Sequence, residues 1–332
     1  MKTLLLTQDD IRSILDVREA IRAVEEVFRD KALGRVQMPP KVYLYFREFN
    51  GDLRVMPSYV ERLNVSSVKV VNSHPDNPSR SGLPTVMATI LLIDPKTGFP
   101  LSIMDGTYVT AVRTAAAGVI AIKYLAREGF EKVGLIGAGV QGTMQAKTLL
   151  QVYRDQVREI RVYDLVREKS DRLCRELNRE FGEVAKVAES AREAVEGADV
   201  IITLTPSRKP IVMSEWVSDG THLNCMGADA PGKQEVDPQV LKRAKIVVDD
   251  LEQAVHSGEV NVPISQGILS KDDIYGELGE VVAGLKRGRT SESEVTVFVS
   301  TGLAIQDTAV AYLAYRLALE KGVGREISLF PT

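Results

Sequence analysis

The stretch that decides the fold is Val133-Gly134-Leu135-Ile136-Gly137-Ala138-Gly139-Val140-Gln141-Gly142, an apolar run followed by closely spaced glycines. The run Val133–Ile136 predicts a short buried strand, and the periodicity of Thr143–Val152 predicts a helix soon after it. The glycines between them are spaced as G-x-G-x-x-G, which is typical of a tight turn from a strand into a helix. The sequence therefore predicts a strand, a glycine-rich turn and a helix in direct succession.

The three glycines of this turn have separate physical roles. Gly137 permits the tight turn, Gly139 lets a pyrophosphate approach the backbone, and Gly142 lets the helix pack on the strand. Free N–H groups and the helix dipole favour phosphate at the start of the helix. Asp164 ends the next predicted strand, where a carboxylate would bind the ribose hydroxyls of an adenosine. We therefore expect NAD as the cofactor, while Arg167 leaves NADPH use open.

Strands and helices alternate along the middle of the chain, from about residue 132 onward. The stretch Glu168–Phe181, for example, carries helical periodicity between two apolar runs. Such alternation is typical of a doubly wound parallel sheet. The further predicted strands are Ile160–Tyr163, Val200–Leu204, Leu223–Met226, Ile246–Val248 and Val295–Val299.

The first third of the chain has a different pattern. Asp16 and Glu19 are spaced as a capping box, and helical spacing continues until Gly34. Several strands after one helix indicate a mainly antiparallel sheet. We expect the helix from Leu303 to Leu319 to return to this part. The predicted strands are Val42–Phe46, Leu53–Tyr59, Val65–Val71, Thr85–Ile93 and Leu101–Met104.

Composition limits the class of protein. The 332 residues carry a formal net charge of −3, with 44% hydrophobic and 26% charged residues. This is an ordinary globular composition, which excludes a disordered chain and lacks the basic footprint of a nucleic-acid-binding protein. Two cysteines, Cys174 and Cys225, are too few for a secreted disulfide framework.

The histidines, the longest apolar stretch and the N-terminus bear on metal binding, membrane insertion and cellular compartment. The three histidines are scattered and form no zinc-binding pattern, so we expect no metal. The apolar stretch Ala111–Leu125 contains Arg113 and Lys123 and is shorter than a membrane span, so we expect no membrane segment. The N-terminus reaches Asp9 too early for a signal peptide, and we expect a cytoplasmic protein.

Several charged residues are candidates for chemistry beside the cofactor. Arg54, Lys69 and Arg113 interrupt apolar or small-residue stretches, and each could bind a substrate carboxylate. Asp229 and Thr205 follow predicted strands, at the end where open α/β sheets bind ligands. The alternatives are solvated charges at the edges of strands or helices and, for Asp229, a turn-forming aspartate.

Five sequence motifs together resemble the ornithine cyclodeaminase/mu-crystallin family over nearly the whole chain. Two further motifs, 277–280 and 300–307, extend the match. Within the family the chain is most similar to archaeal-type alanine dehydrogenases, through residues 39–43 and 249–254. The five motifs are Lys69-Val70-Val71-Asn72-Ser73-His74-Pro75, Met104-Asp105-Gly106, Ala111-Val112-Arg113-Thr114-Ala115-Ala116, Gly137-Ala138-Gly139-Val140-Gln141 and Gly227-Ala228-Asp229-Ala230-Pro231-Gly232-Lys233.

The resemblance implies a fold and a set of site residues. It implies a homodimer in which a Rossmann domain, 126–302, is inserted into an α+β substrate-binding and dimerisation domain, 1–125 plus 303–332. Asp229 would be a catalytic carboxylate, and Lys69 would take part in catalysis. The substrate would contact Lys41, Arg54, Lys69, Arg113 and Thr301. NAD would contact the glycine turn together with Thr85, Arg113, Val140, Gln141, Asp164, Thr205, Met226, Lys233 and Ser300.

The resemblance also implies chemistry at a carbon–nitrogen bond of a small 2-imino or 2-amino acid. The expected activities are alanine dehydrogenase, converting pyruvate and ammonia to alanine, and reduction of the cyclic imine Δ1-pyrroline-2-carboxylate. Arg54 stands where ornithine cyclodeaminases carry an acidic residue, which disfavours a diamino acid. The alternatives are an ornithine cyclodeaminase and a crystallin-like protein that binds NAD(P)H without turnover.

Overall fold

The computed structural model describes residues 2–330. They form two compact units, one comprising residues up to Thr114 and from Leu303 onward, the other Ala115–Gly302. The sequence placed the first boundary at residue 125, whereas the units divide inside the helix Thr107–Leu125. The assignment of these parts to substrate and nucleotide remains a prediction.

Strands and helices follow one another along the whole described chain. The strands are β1 (Thr3–Leu6), β2 (Val36–Gln37), β3 (Val42–Phe46), β4 (Gly51–Val60), β5 (Val65–Ser73), β6 (Val86–Ile93), β7 (Pro100–Asp105), β8 (Lys132–Ile136), β9 (Glu159–Tyr163), β10 (Ala185–Val187), β11 (Val200–Thr203), β12 (Arg208–Val212), β13 (His222–Cys225), β14 (Gln234–Val236), β15 (Lys245–Val248), β16 (Ile274–Glu277), β17 (Thr296–Val299) and β18 (Arg325–Ile327). The α-helices are α1 (Gln8–Ile14), α2 (Val17–Ala32), α3 (Asn77–Arg80), α4 (Thr107–Leu125), α5 (Val140–Tyr153), α6 (Arg167–Phe181), α7 (Ala191–Val195), α8 (Pro238–Arg243), α9 (Leu251–Ser257), α10 (Asn261–Ser265), α11 (Leu278–Val282) and α12 (Ala304–Lys321).

The first unit is built on a mainly antiparallel sheet, as the sequence predicted. Its order is β18-β1-β7-β6-β5-β4-β2, and β3 pairs with β4 beside β2. The β1–β7 pair is parallel. Sequence reasoning missed β1 and β18, because each is a short run whose strand character comes from pairing with a distant part of the chain.

Helix α2 shows where a local signal was partly wrong. The Asp16 side chain accepts a hydrogen bond from the Glu19 N–H at 3.0 Å. The Glu19 carboxylate instead lies 3.8 Å from Arg22, so the predicted reciprocal capping box is only half formed. The helix ends, as predicted, before Gly34, which has a φ of +69°.

Helix α12 returns to the first unit and packs on β4 and β5. The Thr308 hydroxyl lies 2.5 Å from that of Ser58 and 2.6 Å from that of Ser67. Ser58 and Ser67 are opposite each other on the two strands, so α12 covers the sheet face that carries them. This contact determines which side chains the first turn of α12 presents to the sheet.

The second unit contains the predicted doubly wound parallel sheet. Its order is β10-β9-β8-β11-β13-β17-β15-β16, and every neighbouring pair is parallel. Val200 and Ile202 pack into one apolar cluster and Ile201 into another. The sheet is therefore buried on both faces, which explains the nearly continuous apolar strands.

Helix α4 corrects one sequence expectation. It has 19 residues, and an 18-residue window within it has a mean hydropathy of 1.2, enough by length and composition to cross a membrane. The sequence predicted a shorter apolar stretch, which begins only at Ala111. In the structure 83% of the most apolar 18-residue window of this helix is buried, as is typical of a core helix.

Candidate active site

One face of the first sheet carries two of the predicted cations. On the paired strands β4 and β5, Met56 lies opposite Lys69 and Arg54 lies opposite Val71. Because side chains alternate between the faces of a strand, Arg54 and Lys69 share one face. Lys69 lies on the buried face of β5, and only 1% of the residue is exposed.

Lys69 and Arg113 meet at one carboxylate. The Lys69 Nζ lies 2.7 Å from Oδ2 of Asp307, and the Arg113 Nε donates to Oδ1 at 3.0 Å. Arg113 also donates to Oε1 of Gln306 at 3.1 Å, and Lys69 donates to the Thr110 hydroxyl at 3.2 Å. Asp307 is fully buried, so α12 supplies a buried anion between two nearly buried cations.

Burial lowers the pKa of Lys69 from its ordinary value of 10.5 to about 7. Loss of hydration is the largest cause, and the charges of Arg113 and Lys41 lower the pKa further. Asp307 acts in the opposite direction, through its charge and a hydrogen bond. The Lys69 amine can therefore gain or lose a proton near neutral pH.

Three other predicted site residues of the first unit, Arg54, Thr85 and Lys41, have contacts or effects that do not involve Asp307. The Arg54 guanidinium donates to both carboxylate oxygens of Asp52, at 3.0 and 3.1 Å. It also lies over the ring of Tyr43, 5.5 Å from the ring centroid. Thr85 directly precedes β6, and its carbonyl accepts from the His74 N–H at 2.8 Å. Lys41, by contrast, influences Lys69 through its charge.

The glycine turn in the second unit has the predicted geometry. Gly137 adopts a φ of +106°, and a Cβ there would lie 2.9 Å from the Leu204 carbonyl oxygen. A Cβ on Gly142 would collide with the Gly137 carbonyl oxygen. Gly139 precedes α5 without a side-chain cap, and the space where its Cβ would point is open. The turn therefore offers backbone N–H groups to an anion that can approach closely.

Asp164 follows β9 and contacts this turn. Its carboxylate accepts from the N–H of Ala138 at 2.8 Å and from the N–H of Val166 at 2.9 Å. Arg167 is engaged by the Glu189 carboxylate, with one Nη2–Oε1 distance of 2.8 Å. Arg167, the residue for which the sequence left NADPH use open, is thus already paired with Glu189.

Asp229 and Lys233 form an ion pair after β13. The Lys233 Nζ lies 2.5 Å from Oδ1 of Asp229, and the two side chains are 19% and 34% exposed respectively. Met226 begins the same segment and accepts from the Gln145 amide through its sulfur at 3.0 Å. The segment is therefore ordered while its carboxylate stays accessible to a small molecule.

Two buried glutamates, to which sequence reasoning gave no role, hold this segment. Glu235 accepts from the N–H of Thr205 at 2.6 Å, the N–H of Gly227 at 2.9 Å and the Thr203 hydroxyl at 2.8 Å. Glu259 accepts from the N–H of Glu235 at 2.8 Å. Both are fully buried, and burial raises the pKa of each glutamate. Glu235 thereby links the residues that follow β11 to those that follow β13.

Asp249 has a similar function after β15. It accepts from the N–H groups of Thr301 and Gly302, both at 2.7 Å, and from the Thr301 hydroxyl at 3.1 Å. The Ser300 hydroxyl donates to it at 3.3 Å. The two predicted contact residues that follow β17, Ser300 and Thr301, are thus held by one buried carboxylate.

These features lie at one edge of the second sheet. The glycine turn, Asp164, Thr205, Asp229 and Ser300 each follow the carboxyl end of a strand. Because neighbouring strands are parallel, their carboxyl ends share an edge, where such sheets bind ligands.

The residues present fit a dinucleotide. Besides the open turn, Val140 is 73% exposed and the buried Oε1 of Gln141 has no hydrogen-bond partner in the structure. An exposed apolar side chain and an unused acceptor at the start of α5 suit a ligand that brings its own apolar surface and donors. Within residues 2–330, no group of three or more His, Cys, Asp or Glu side chains could hold a metal ion.

The fold and these carboxyl-end residues define a dinucleotide-binding α/β protein with a separate cation site in the first unit. Residues 1–322 match the model of the ornithine cyclodeaminase/mu-crystallin family, and the chain belongs to that family. The predicted family and fold class are therefore confirmed.

Three relatives show how complete the similarity is. Alanine dehydrogenase of Archaeoglobus fulgidus is 52% identical over 330 residues, 99% of each chain. A solved archaeal alanine dehydrogenase dimer with bound NAD is 51% identical, with a TM-score of 0.94 over 99% of this chain and 100% of that one. Thermococcus litoralis Δ1-pyrroline-2-carboxylate reductase, solved with NADH and L-proline, is 39% identical, with a TM-score of 0.94 over 98% and 100%.

Asp307 is the main residue that sequence reasoning missed, although it lies in a motif that carried the family resemblance. The signal was present, because an acid among buried residues of an apolar helix requires a compensating partner. Its partners could not be identified, since Lys69 and Arg113 lie on other elements far away in sequence.

Replacing Lys69 by Met should change how stability depends on pH. Between pH 7 and 10.5 the unfolded chain holds the Lys69 proton and the folded chain does not, so this group makes the free energy of unfolding rise with pH. We expect Lys69→Met to lose that rise, as measured by denaturant unfolding at about pH 7 and about pH 9.5.

Lys147→Met is the matched control. Lys147 is ion-paired with Glu176 and Glu180, and its pKa is raised above 10.5, so it stays charged in both states across this interval. Equal pH slopes for wild type and Lys69→Met would contradict a depressed Lys69 pKa.

Proposed function

We propose that this protein is an NAD-dependent alanine dehydrogenase, or a closely related reductase of small 2-imino acids. The observation that carries the proposal is the buried site in which Lys69 and Arg113 share the single carboxylate of Asp307. Below about pH 7, where Lys69 holds its proton, two cations against one anion leave an excess positive charge, which suits the carboxylate of a 2-oxo or 2-imino acid. The alanine dehydrogenase and imino-acid reductase among its relatives support the same chemistry.

NAD binds to the second unit, at the carboxyl edge of its sheet. The glycine turn and the start of α5 hold the pyrophosphate, Asp164 holds the adenosine ribose, and Thr205, Met226, Lys233 and Ser300 contact the remainder. When bound, the nicotinamide supplies or accepts a hydride. NAD and NADH are the nucleotides bound in the two solved relatives.

The residues of the chain supply binding and proton transfer. Lys69 and Arg113 bind the substrate carboxylate, with Lys41, Arg54 and Thr301 as further contacts. Lys69 in its ammonium form also polarises the C=O or C=N group through a hydrogen bond. Asp229 exchanges a proton with the substrate nitrogen or with water, and Lys233 orients its carboxylate.

Arg54 bears on the choice of substrate. A guanidinium on the same sheet face as Lys69 disfavours the distal ammonium of ornithine and accommodates small neutral side chains. Asp52 neutralises part of that charge, so the effect is a preference and not an absolute exclusion. Ornithine cyclisation is thus the alternative outcome of the assay below.

We further propose a cytoplasmic homodimer. β3 pairs with β4, and three of its apolar side chains, Val42, Leu44 and Tyr45, are 53–61% exposed. Phe49, just after β3, is 63% exposed. Exposed apolar side chains on an edge strand favour association, and the solved alanine dehydrogenase relative is a dimer. Both cysteines are free, as is usual in a reducing compartment.

An assay of substrates tests the reaction type. We expect NADH to be consumed with pyruvate plus ammonia, or with Δ1-pyrroline-2-carboxylate, in equal moles to the amino acid formed. Ornithine should react poorly, because Arg54 opposes its second ammonium. Absorbance at the NADH band and amino-acid analysis measure both. Proline and ammonia formed from ornithine without net NADH change would establish the cyclodeaminase instead.

Asp229→Asn tests whether the protein is an enzyme or only a nucleotide binder. The amide keeps the shape but cannot accept a proton, so kcat should fall by about 10²–10⁴-fold. The NADH Kd should stay nearly unchanged. Asp219→Asn is the control, since Asp219 is an exposed acid that pairs with Arg243 at 3.1 Å. Near-wild-type turnover by folded Asp229→Asn would remove Asp229 from the mechanism.

Asp164→Ser tests nucleotide choice. The Asp164 carboxylate repels a 2′-phosphate, so wild type should prefer NADH and the variant should show a smaller ratio of kcat/KM for NADH to NADPH. Adding Glu189→Gln should reduce the ratio further, because it weakens the hold on Arg167. A wild type that prefers NADPH would contradict the role given to Asp164.

A further inference from the structure

The first turn of α12 presents one carboxylate to two cations. Each oxygen of Asp307 faces a different partner: Oδ2 faces the Lys69 Nζ at 2.7 Å, and Oδ1 accepts from the Arg113 Nε at 3.0 Å. Gln306 bonds a second nitrogen of Arg113. A single carboxylate in contact with both groups limits how far apart they can lie and in which direction each points.

Three charged groups influence the pKa of Lys69 most strongly, and among them Asp307 is the one anion. α4 contributes Arg113, and the segment before β3 contributes Lys41, both of which are cations. On the neighbouring strands β4 and β6, the residues opposite Lys69 are Met56 and Ile90, which are uncharged.

We propose that Asp307 is a positioning residue, which sets the spacing of Lys69 and Arg113 and keeps Lys69 in its ammonium form to receive the substrate carboxylate. This inference rests on the proposed function, because that function assigns the substrate carboxylate to Lys69 and Arg113.

Helix geometry favours this role for Asp307. It lies in the first turn of α12, where the helix dipole stabilises a negative charge. The hydroxyl contacts of Thr308 with Ser58 and Ser67 hold the same turn against β4 and β5. The carboxylate is therefore fixed to the sheet that carries Lys69, and its own freedom to move is small.

The test is the pH dependence of pyruvate binding to the enzyme–NAD complex, followed by calorimetry in ammonia-free buffer from about pH 5 to about pH 9. Pyruvate stays charged throughout, so a fall in affinity with rising pH reports loss of the Lys69 proton. In wild type the fall should begin near pH 7. In Asp307→Asn, Lys69 loses its anionic partner, and the fall should begin about one pH unit or more lower.

Turnover provides the second readout. If spacing matters, kcat of Asp307→Asn should fall tenfold or more even at a pH low enough for Lys69 to hold its proton, because misplaced binding groups hold the substrate in an unreactive orientation. Asp307→Glu should keep the pH at which affinity falls while lowering kcat, since it retains the charge and moves it by one methylene.

Asp30→Asn is the matched control. Asp30 is likewise a buried acid of the first unit, and its carboxylate accepts a hydrogen bond from Arg62 at 2.8 Å. Its replacement should lower the melting temperature without moving the pH at which pyruvate affinity falls. A shift in Asp30→Asn as large as in Asp307→Asn would mean that Asp307 acts only through the fold.

The possible results separate the two proposals. Wild type that binds pyruvate but reduces no imino acid would overturn the proposed function, while a lower pH of affinity loss in Asp307→Asn would still support the role of Asp307. Active wild type with an unshifted Asp307→Asn variant would overturn the role of Asp307 alone. Should Asp307→Asn not fold, wild-type kcat in Asp307→Glu would overturn the positioning role.

Discussion

The ion pairs of Asp307 with Lys69 and Arg113 are the interaction on which the chemistry of the first unit depends. A lysine that is 1% exposed would lose most of its tendency to hold a proton without an anion beside it. Asp307 reduces that loss, so the pKa of Lys69 lies near 7 and not far below. The site therefore combines low solvent access with a positive charge, although burial by itself disfavours the charged form of a lysine.

The second unit uses buried carboxylates in another way. Glu235 accepts hydrogen bonds from segments that follow two neighbouring strands, and Asp249 accepts four from Ser300, Thr301 and Gly302. These acids bind backbone N–H groups that loops would otherwise leave unsatisfied. Loops at the carboxyl edge of the sheet are thereby held in place without blocking it. The accessible acid, Asp229, lies in one of the segments that they order.

Much of the fold followed from periodicity, and the errors have physical causes. β3 was predicted with its observed bounds, because its flanking residues break the pattern. β4 and β5 extend beyond their apolar runs, since pairing in a hairpin continues where backbone groups still face each other. β12 and β14 were missed because they pair only with each other, so neither carries the pattern of the main sheet.

The sequence by itself determined the parallel sheet, the glycine turn and the acid at Asp164, because each depends on residues close together in the chain. It also indicated the family, through motifs spread along the whole length. Only the tertiary structure decided which anion partners Lys69, that Arg54 is engaged by Asp52, and which acids hold the loops. Lys69, Arg113 and Asp307 come from β5, α4 and α12, and no local pattern records that these three elements meet. A buried charged residue requires a partner of opposite charge, and the identity of that partner depends on which elements the fold brings into contact.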